Sequence, residues 1–169
     1  MPVDTVEKLL VEELKDLYSA ENQITKALPK MAKNANAAEL RTALETHLHQ
    51  TEGQIKRLDR VFGILGKSAT GKTCEGMKGL LEEGDRVMGD RVMKESEGDV
   101  RDAAMISAAQ KVEHYEMAGY GSARAWAQQL GQAEIADLLQ QTLNEEGETD
   151  HKLSQLAGKI NKSAHRHAA

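Results

Sequence analysis

Glu21, His47, Glu113, Glu116 and Glu146 stand where amphipathic helices should be apolar. A helix turns about 100° per residue, so the neighbours of each can be read from spacing. Glu21 lies among Leu17, Ile24 and Leu28. His47 shares a stripe with Leu40, Leu44 and Leu58, followed by Thr51 and Gln54, with Gln50 at its edge. Glu113 and Glu116 lie among Ile106, Ala109, Val112 and Tyr120. Glu146 lies between Leu139 and Leu153, with Glu145 and Asp150 on its two edges. A bare charge in a core is costly, and a buried carboxylate is normally paired or bound to a metal. No Lys or Arg falls in the middle of these stripes at that level, and Arg124 is a turn away. Two metal ions about 3.5–4 Å apart would neutralise such a group of acids. Carboxylates with imidazole suit iron or manganese better than a thiolate-rich zinc site does. The expectation is therefore two ions per chain, iron first, with manganese or zinc as alternatives. The predicted ligands are Glu21, His47, Gln50, Glu113, Glu116, Glu145 and Glu146. Tyr120, one turn after Glu116, and Asp150 are predicted to support them. Tyr120 would hydrogen-bond a ligand or supply an electron, with a plain core tyrosine as the competing reading.

Each residue taken singly also has an ordinary reading. A lone glutamate on an apolar face usually reaches water with its head group. A lone histidine is usually a satisfied core residue, and Glu145, Glu146 and Glu148 also read as an exposed acidic run. The coincidence of such residues in mid-stripe on four helices carries the metal reading. Glu148-x-x-His151 has di-iron spacing but falls on the side of its helix away from the leucines, as do His49 and Glu52 on theirs. Gly66–Thr73 matches the phosphate-loop pattern, which needs a preceding strand and an α/β unit. A long helix precedes it here, so the segment reads as a crossover loop.

Four long helices must position these residues. They are predicted over Asp4–Lys33, Ala37–Leu65, Val100–Leu130 and Gln132–Ile160. Asp4 with Glu7, Asn36 with Glu39, and Asp99 are the predicted caps. Pro29 should kink or end the first helix. A Gly-rich loop and a shorter helix, near Cys74–Lys94, separate the second and third long helices. Short joins near Asn34–Asn36 and Gly131 make two antiparallel hairpins, and one long crossover connects them. The predicted fold is an all-α, ferritin-like four-helix bundle, one domain over residues 1–160 with a flexible tail over 161–169. Leu9, Leu48 and Val61, outside or at the edge of the inner stripes, predict an apolar patch and a symmetric homodimer.

Composition narrows the function classes. A chain of 169 residues makes one domain. Hydrophobic residues at 40% suffice for a core, and aromatics at 3% mean that aliphatic side chains build it. A net charge of −5 argues against a nucleic-acid surface. No apolar stretch reaches the roughly 20 residues that span a bilayer. The single cysteine, Cys74, fits a reducing compartment. The first residues show no basic region followed by an apolar run, so a cytoplasmic location is expected.

The segments Asp16–Glu21, His47–Gln54, Ala109–Glu116 and Thr142–Glu146 resemble the YciE/YciF family of bacterial stress proteins. The resemblance covers nearly the whole chain. It implies a ferritin-like, stress-induced, dimeric protein. The stretch Glu113-His114-Tyr115-Glu116 is also similar to the third bundle helix of rubrerythrins, in which both glutamates of such a stretch bind iron. This chain has His47-x-x-Gln50-Thr51 where the family usually has His-x-x-Glu-Thr. It lacks the Cys-rich rubredoxin module of rubrerythrins, so redox turnover would need an outside electron donor. Two functions stay open: a dinuclear metal protein reacting with peroxide or oxygen under stress, and a non-enzymatic structural protein whose site is vestigial or merely staples the bundle.

Overall fold

The computed structural model describes residues 3–89, 96 and 98–166. Five helices follow one another: α1 (Val6–Asn34), α2 (Ala38–Leu65), α3 (Glu75–Gly89), α4 (Gly98–Gln129) and α5 (Ala133–Arg166). Helices α1 and α2 form one hairpin and α4 and α5 the other; α2 packs on α5 and α1 on α4. The crossover over residues 66–97 carries α3, which lies against α4 and α1. This is the predicted ferritin-like arrangement of two antiparallel hairpins with an extra short helix. The remainder of the predicted short helix, residues 90–94, lies outside the described residues.

Several helix ends differ from expectation. Thr5 caps α1, its hydroxyl accepting from Lys8 N–H at 3.2 Å, while Asp4 is ion-paired with Lys8 at 2.6 Å. Asn36 does not cap α2; the Asp102 carboxylate of α4 accepts from the N–H groups of Asn36 (2.8 Å) and Ala37 (2.6 Å). Asp99 sits inside the first turn of α4, where an acid complements the helix dipole. Helix α1 runs through Pro29 to Asn34, one residue past its predicted end at Lys33, and Met31, Ala32 and Ala35 are buried there. The α4–α5 join closes with Gly131 in the left-handed region (φ 70°) and Gln132 N–H bonded to Ala127 C=O at 2.9 Å. Helix α5 persists through residues 161–166 of the predicted tail, and Ser163 donates to Asp99. The remaining tail, 167–169, lies outside the described residues.

The core is split in two along the bundle. One apolar cluster contains Ile24, Leu28, Leu44, Met105, Ile106, Val112 and Leu153. The other contains Leu10, Leu14, Leu17, Leu58, Val61, Phe62, Tyr120 and Leu139. Burying each large aliphatic side chain is worth roughly 1.5–3 kcal/mol, so the two clusters hold the ends of the bundle shut. On every long helix the residues between the clusters are polar: Glu21 on α1; His47, Thr51 and Gln54 on α2; Glu113 and Glu116 on α4; Thr142 and Glu146 on α5. All of these are buried. Val61 is 0% exposed and does not contribute to the predicted surface patch, and Leu48 is partly buried against the core. The apolar face of α2 is wider than the narrow stripe read from its leucines.

Candidate metal centre

The polar layer gathers side chains from all four long helices. His47, Glu113, Glu116 and Glu146 each offer a ligating atom, and those atoms lie within 4.8 Å of one another. Glu113 and Glu116 share a helix face because they are three residues apart. His47 Nε2 lies 3.3 Å from Glu113 Oε1. Glu21 faces the same layer from α1 and accepts a hydrogen bond from the Tyr120 hydroxyl. Gly119 permits this approach: a Cβ there would stand 2.8 Å from Leu17 Cδ2 on α1.

Most of these ligating atoms have no hydrogen-bond partner. Glu21 Oε2, Glu113 Oε2, both oxygens of Glu116, Glu146 Oε2 and both nitrogens of His47 are buried and unpartnered. Desolvation pushes the carboxyls of Glu21, Glu113 and Glu116 well above their ordinary range, and neighbouring acids push them further. Desolvation also raises Glu146, against the hydrogen bonds it receives. His47 is pushed down to about 4 by burial, so its imidazole is neutral at pH 7 and has a free lone pair. Tyr120 is raised by burial and by the nearby acids, and stays a phenol. Left to itself, the layer retains protons on its acids.

The donor set fits cations. Oxygen donors with one imidazole suit iron or manganese, and orphaned buried oxygens are what a metal would satisfy. Glu21, Glu113, Glu116 and Glu146 supply four negative charges when ionised. Glu145 falls outside this sum, because its carboxylate receives both Arg57 Nη2 (2.8 Å) and Arg57 Nη1 (3.0 Å). The structure thus turns the predicted ligand Glu145 away from the cluster and into an ion pair.

The other predicted residues also separate. Gln50 is half-buried beside His47 and accepts from Thr149 Oγ1 at 3.4 Å. Asp150 faces α4, accepting from Gln110 at 3.0 Å and lying 3.3 Å from His114 Nε2, outside the cluster. Glu148 and His151 are exposed, as are His49 and Glu52. Gly66, first residue of the phosphate-loop match, is the C-cap of α2, and the described residues contain no strand.

Two supporting residues were not among the predictions. Gln54 donates from Nε2 to Glu146 and, at 3.1 Å, to Glu145. Arg57 bridges Glu145 and the Thr142 hydroxyl (2.7 Å). Their signal was position: Gln54 continues the stripe of His47 and Thr51, and Arg57 follows one turn later. A second polar cluster fixes the crossover. Asp16 accepts from Cys74 Sγ (2.8 Å) and Tyr115 OH (2.7 Å), and Lys72 Nζ lies 3.2 Å away. Burial raises the Cys74 thiol, which therefore packs rather than reacts.

Fold and site together define an all-helical bundle with a buried carboxylate–imidazole layer at mid-height. The chain belongs to the family described as Domain of unknown function (DUF892), whose model matches residues 5–165, and it is a member of the YciF family. It is 43% identical over 166 residues to Protein YciF of Escherichia coli (strain K12), covering 97% of this chain and 98% of that protein. The crystal structure of the E. coli stress protein YciF superposes with a TM-score of 0.89 at 42% identity, covering 95% of this chain and 99% of that one. YcfI from Rhodopseudomonas palustris gives a TM-score of 0.85 at 44% identity, covering 90% of this chain and 94% of that one.

Proposed function

We propose that this chain is a stress protein that holds two transition-metal ions, iron or manganese, in its polar layer and reacts with peroxide or oxygen. The observation that carries this is the convergence of His47, Glu113, Glu116 and Glu146 within 4.8 Å, buried and largely unpartnered, with Glu21 alongside. The stress role comes from the relative's description as a stress protein. Bound iron or manganese would supply one-electron redox change; the chain supplies the rest. Glu21, Glu113, Glu116 and Glu146 release their protons as cations arrive. His47 offers its neutral imidazole, and Tyr120 holds Glu21 in place through a hydrogen bond. Gln54 and Arg57 keep the α5 acids oriented. Electrons must come from an outside donor, since the chain carries one cysteine and no cysteine pair.

The test starts with protein purified without chelator and supplied with iron. It should hold between one and two ions per chain, and replacing Glu21 and Glu113 together with Ala should abolish binding. Full metal content in the double variant would place the site elsewhere. Anaerobic reduction followed by peroxide then separates the readings. Turnover supports the enzyme. Bound metal without turnover supports a structural role, which Gln50 in place of a carboxylate favours.

The chain is also proposed to form a homodimer. Its exposed apolar residues include Val3, Val6 and Leu9, at 51%, 40% and 38% exposure. Val6 and Leu9, three residues apart, share one face of the start of α1, and Val3 lies just ahead of that helix. Sedimentation should show a dimer at micromolar concentration and a monomer for Leu9→Glu; a monomeric parent removes the proposal.

A further inference from the structure

A cavity of about 190 Å³ runs between α2 and α5, from exposed Thr46, Glu148 and Lys152 to buried His47 and Glu113. One water needs only roughly 10–15 Å³ by such a measure. A second cavity reaching His47 and Glu113, from the α1 and α3 side, has about 10 Å³ and is walled by Ile24, Leu28, Met31 and Leu81. Cations will not cross that apolar wall cheaply. The wide cavity instead has polar groups along its length, and the unpartnered nitrogens of His47 lie at its inner end. Its walls meet where Thr149 Oγ1 donates to Gln50 Oε1 at 3.4 Å, a long and therefore weak bond. Gln50 is three residues from His47 and Thr149 three from Glu146, so each lies one turn along from a proposed ligand.

The geometry points to the α2–α5 cleft as the port through which metal cations reach the buried centre, with the Gln50–Thr149 contact as its constriction. This rests on the metal reading above. It adds that the rate of loading is set by a part of the protein other than His47 and the four buried glutamates. Glu148 at the mouth offers a carboxylate to an arriving cation, and Lys152 beside it moderates that attraction.

The test uses cobalt(II) alone as probe, followed by its visible absorption after rapid mixing with apo protein. Thr149→Trp should fill the constriction, and Glu148→Trp should cover the mouth. Each should slow uptake at least tenfold while the final metal content stays that of the parent. Folded variants that take up cobalt at the parent's rate overturn the port and leave the metal centre standing. Lower final content without slower uptake also overturns it, because the cleft wall would then be part of the ligand set. A parent that binds no cobalt overturns the metal reading itself, and the port with it. If circular dichroism shows Thr149→Trp to be unfolded, Glu148→Trp, on an exposed helix surface, decides alone.

Discussion

Tyr120 of α4 donates its hydroxyl hydrogen to Glu21 of α1, and both side chains are completely buried. The bond joins two antiparallel hairpins at the level of the polar layer. It leaves Glu21 Oε2 as the unpartnered oxygen, aimed into the layer. Tyr120→Phe keeps the ring and its packing but removes the only hydrogen bond Glu21 accepts from a described side chain. An unsatisfied buried carboxyl costs roughly 1–3 kcal/mol. Taking roughly 2–4 °C per kcal/mol for a chain of this size, the apo variant should melt several degrees lower. A cation on Glu21 would satisfy the same oxygens, so the loss should shrink in metal-loaded protein. Equal melting temperatures for parent and variant in the apo state would show that Glu21 does not depend on Tyr120.

Asp102 provides a second check, independent of any metal. It is buried at the base of α4 and accepts from two backbone N–H groups ahead of α2. Leaving buried backbone N–H groups without their acceptor costs roughly 1–3 kcal/mol, and Asp102 serves two of them. Asp102→Ala should lower the melting temperature without changing metal content. A thermal melt unchanged within a degree would mean that water replaces the carboxylate fully.

These two contacts show where sequence reading stops. Glu21, His47, Glu113, Glu116 and Glu146 were legible because helical periodicity alone says whether a residue falls inside an apolar stripe. The hairpin order was legible from connection lengths. Asp102 was not, because its partners lie 65 and 66 residues away and only the packing of α4 against the α1–α2 join brings them together. Arg57 and Glu145 failed for the same reason. Both sit at stripe edges, where a small rotation decides between solvent, a cation and each other. The first helix was legible through Pro29 almost to its end, since apolar spacing continues to Met31. Val61 misled because helix α2 faces two neighbours, α1 and α5, and so buries more than one narrow stripe.

Stability should depend on pH in opposite senses with and without metal. The raised carboxyls keep protons in the folded chain that the unfolded chain releases above about pH 4.5. Their contribution is therefore largest at low pH and declines as pH rises toward the folded-state values. His47 has the opposite sign. Its folded value of about 4 lies below the ordinary imidazole value of 6.5, so its contribution is present above 6.5 and lost as pH falls toward 4. Apo protein should therefore lose the carboxyls' contribution as pH rises above about 4.5. Metals replace those protons, so the gain in melting temperature on adding manganese should grow as pH rises from there. In His47→Gln the loss below pH 6.5 should diminish. A metal-induced gain that is flat with pH would show that the acids carry no excess protons in the folded chain.

Gln50 lies beside His47 at the edge of the layer, and its side chain accepts a 3.4 Å bond from Thr149. Gln50→Glu would exchange one neutral carbonyl for a charged pair of donor oxygens. In a partly dry site that charge attracts a cation more strongly than it would in water. The variant should bind its second metal more tightly, seen as a higher stoichiometry at limiting metal. Without metal the new carboxylate would face Glu113 and its neighbours, and like charges there destabilise the fold. Apo Gln50→Glu should therefore melt below the parent and gain more on metal addition. If stoichiometry and both melting temperatures match the parent, the side chain at position 50 turns to solvent, and helix α2 supplies His47 alone to the centre.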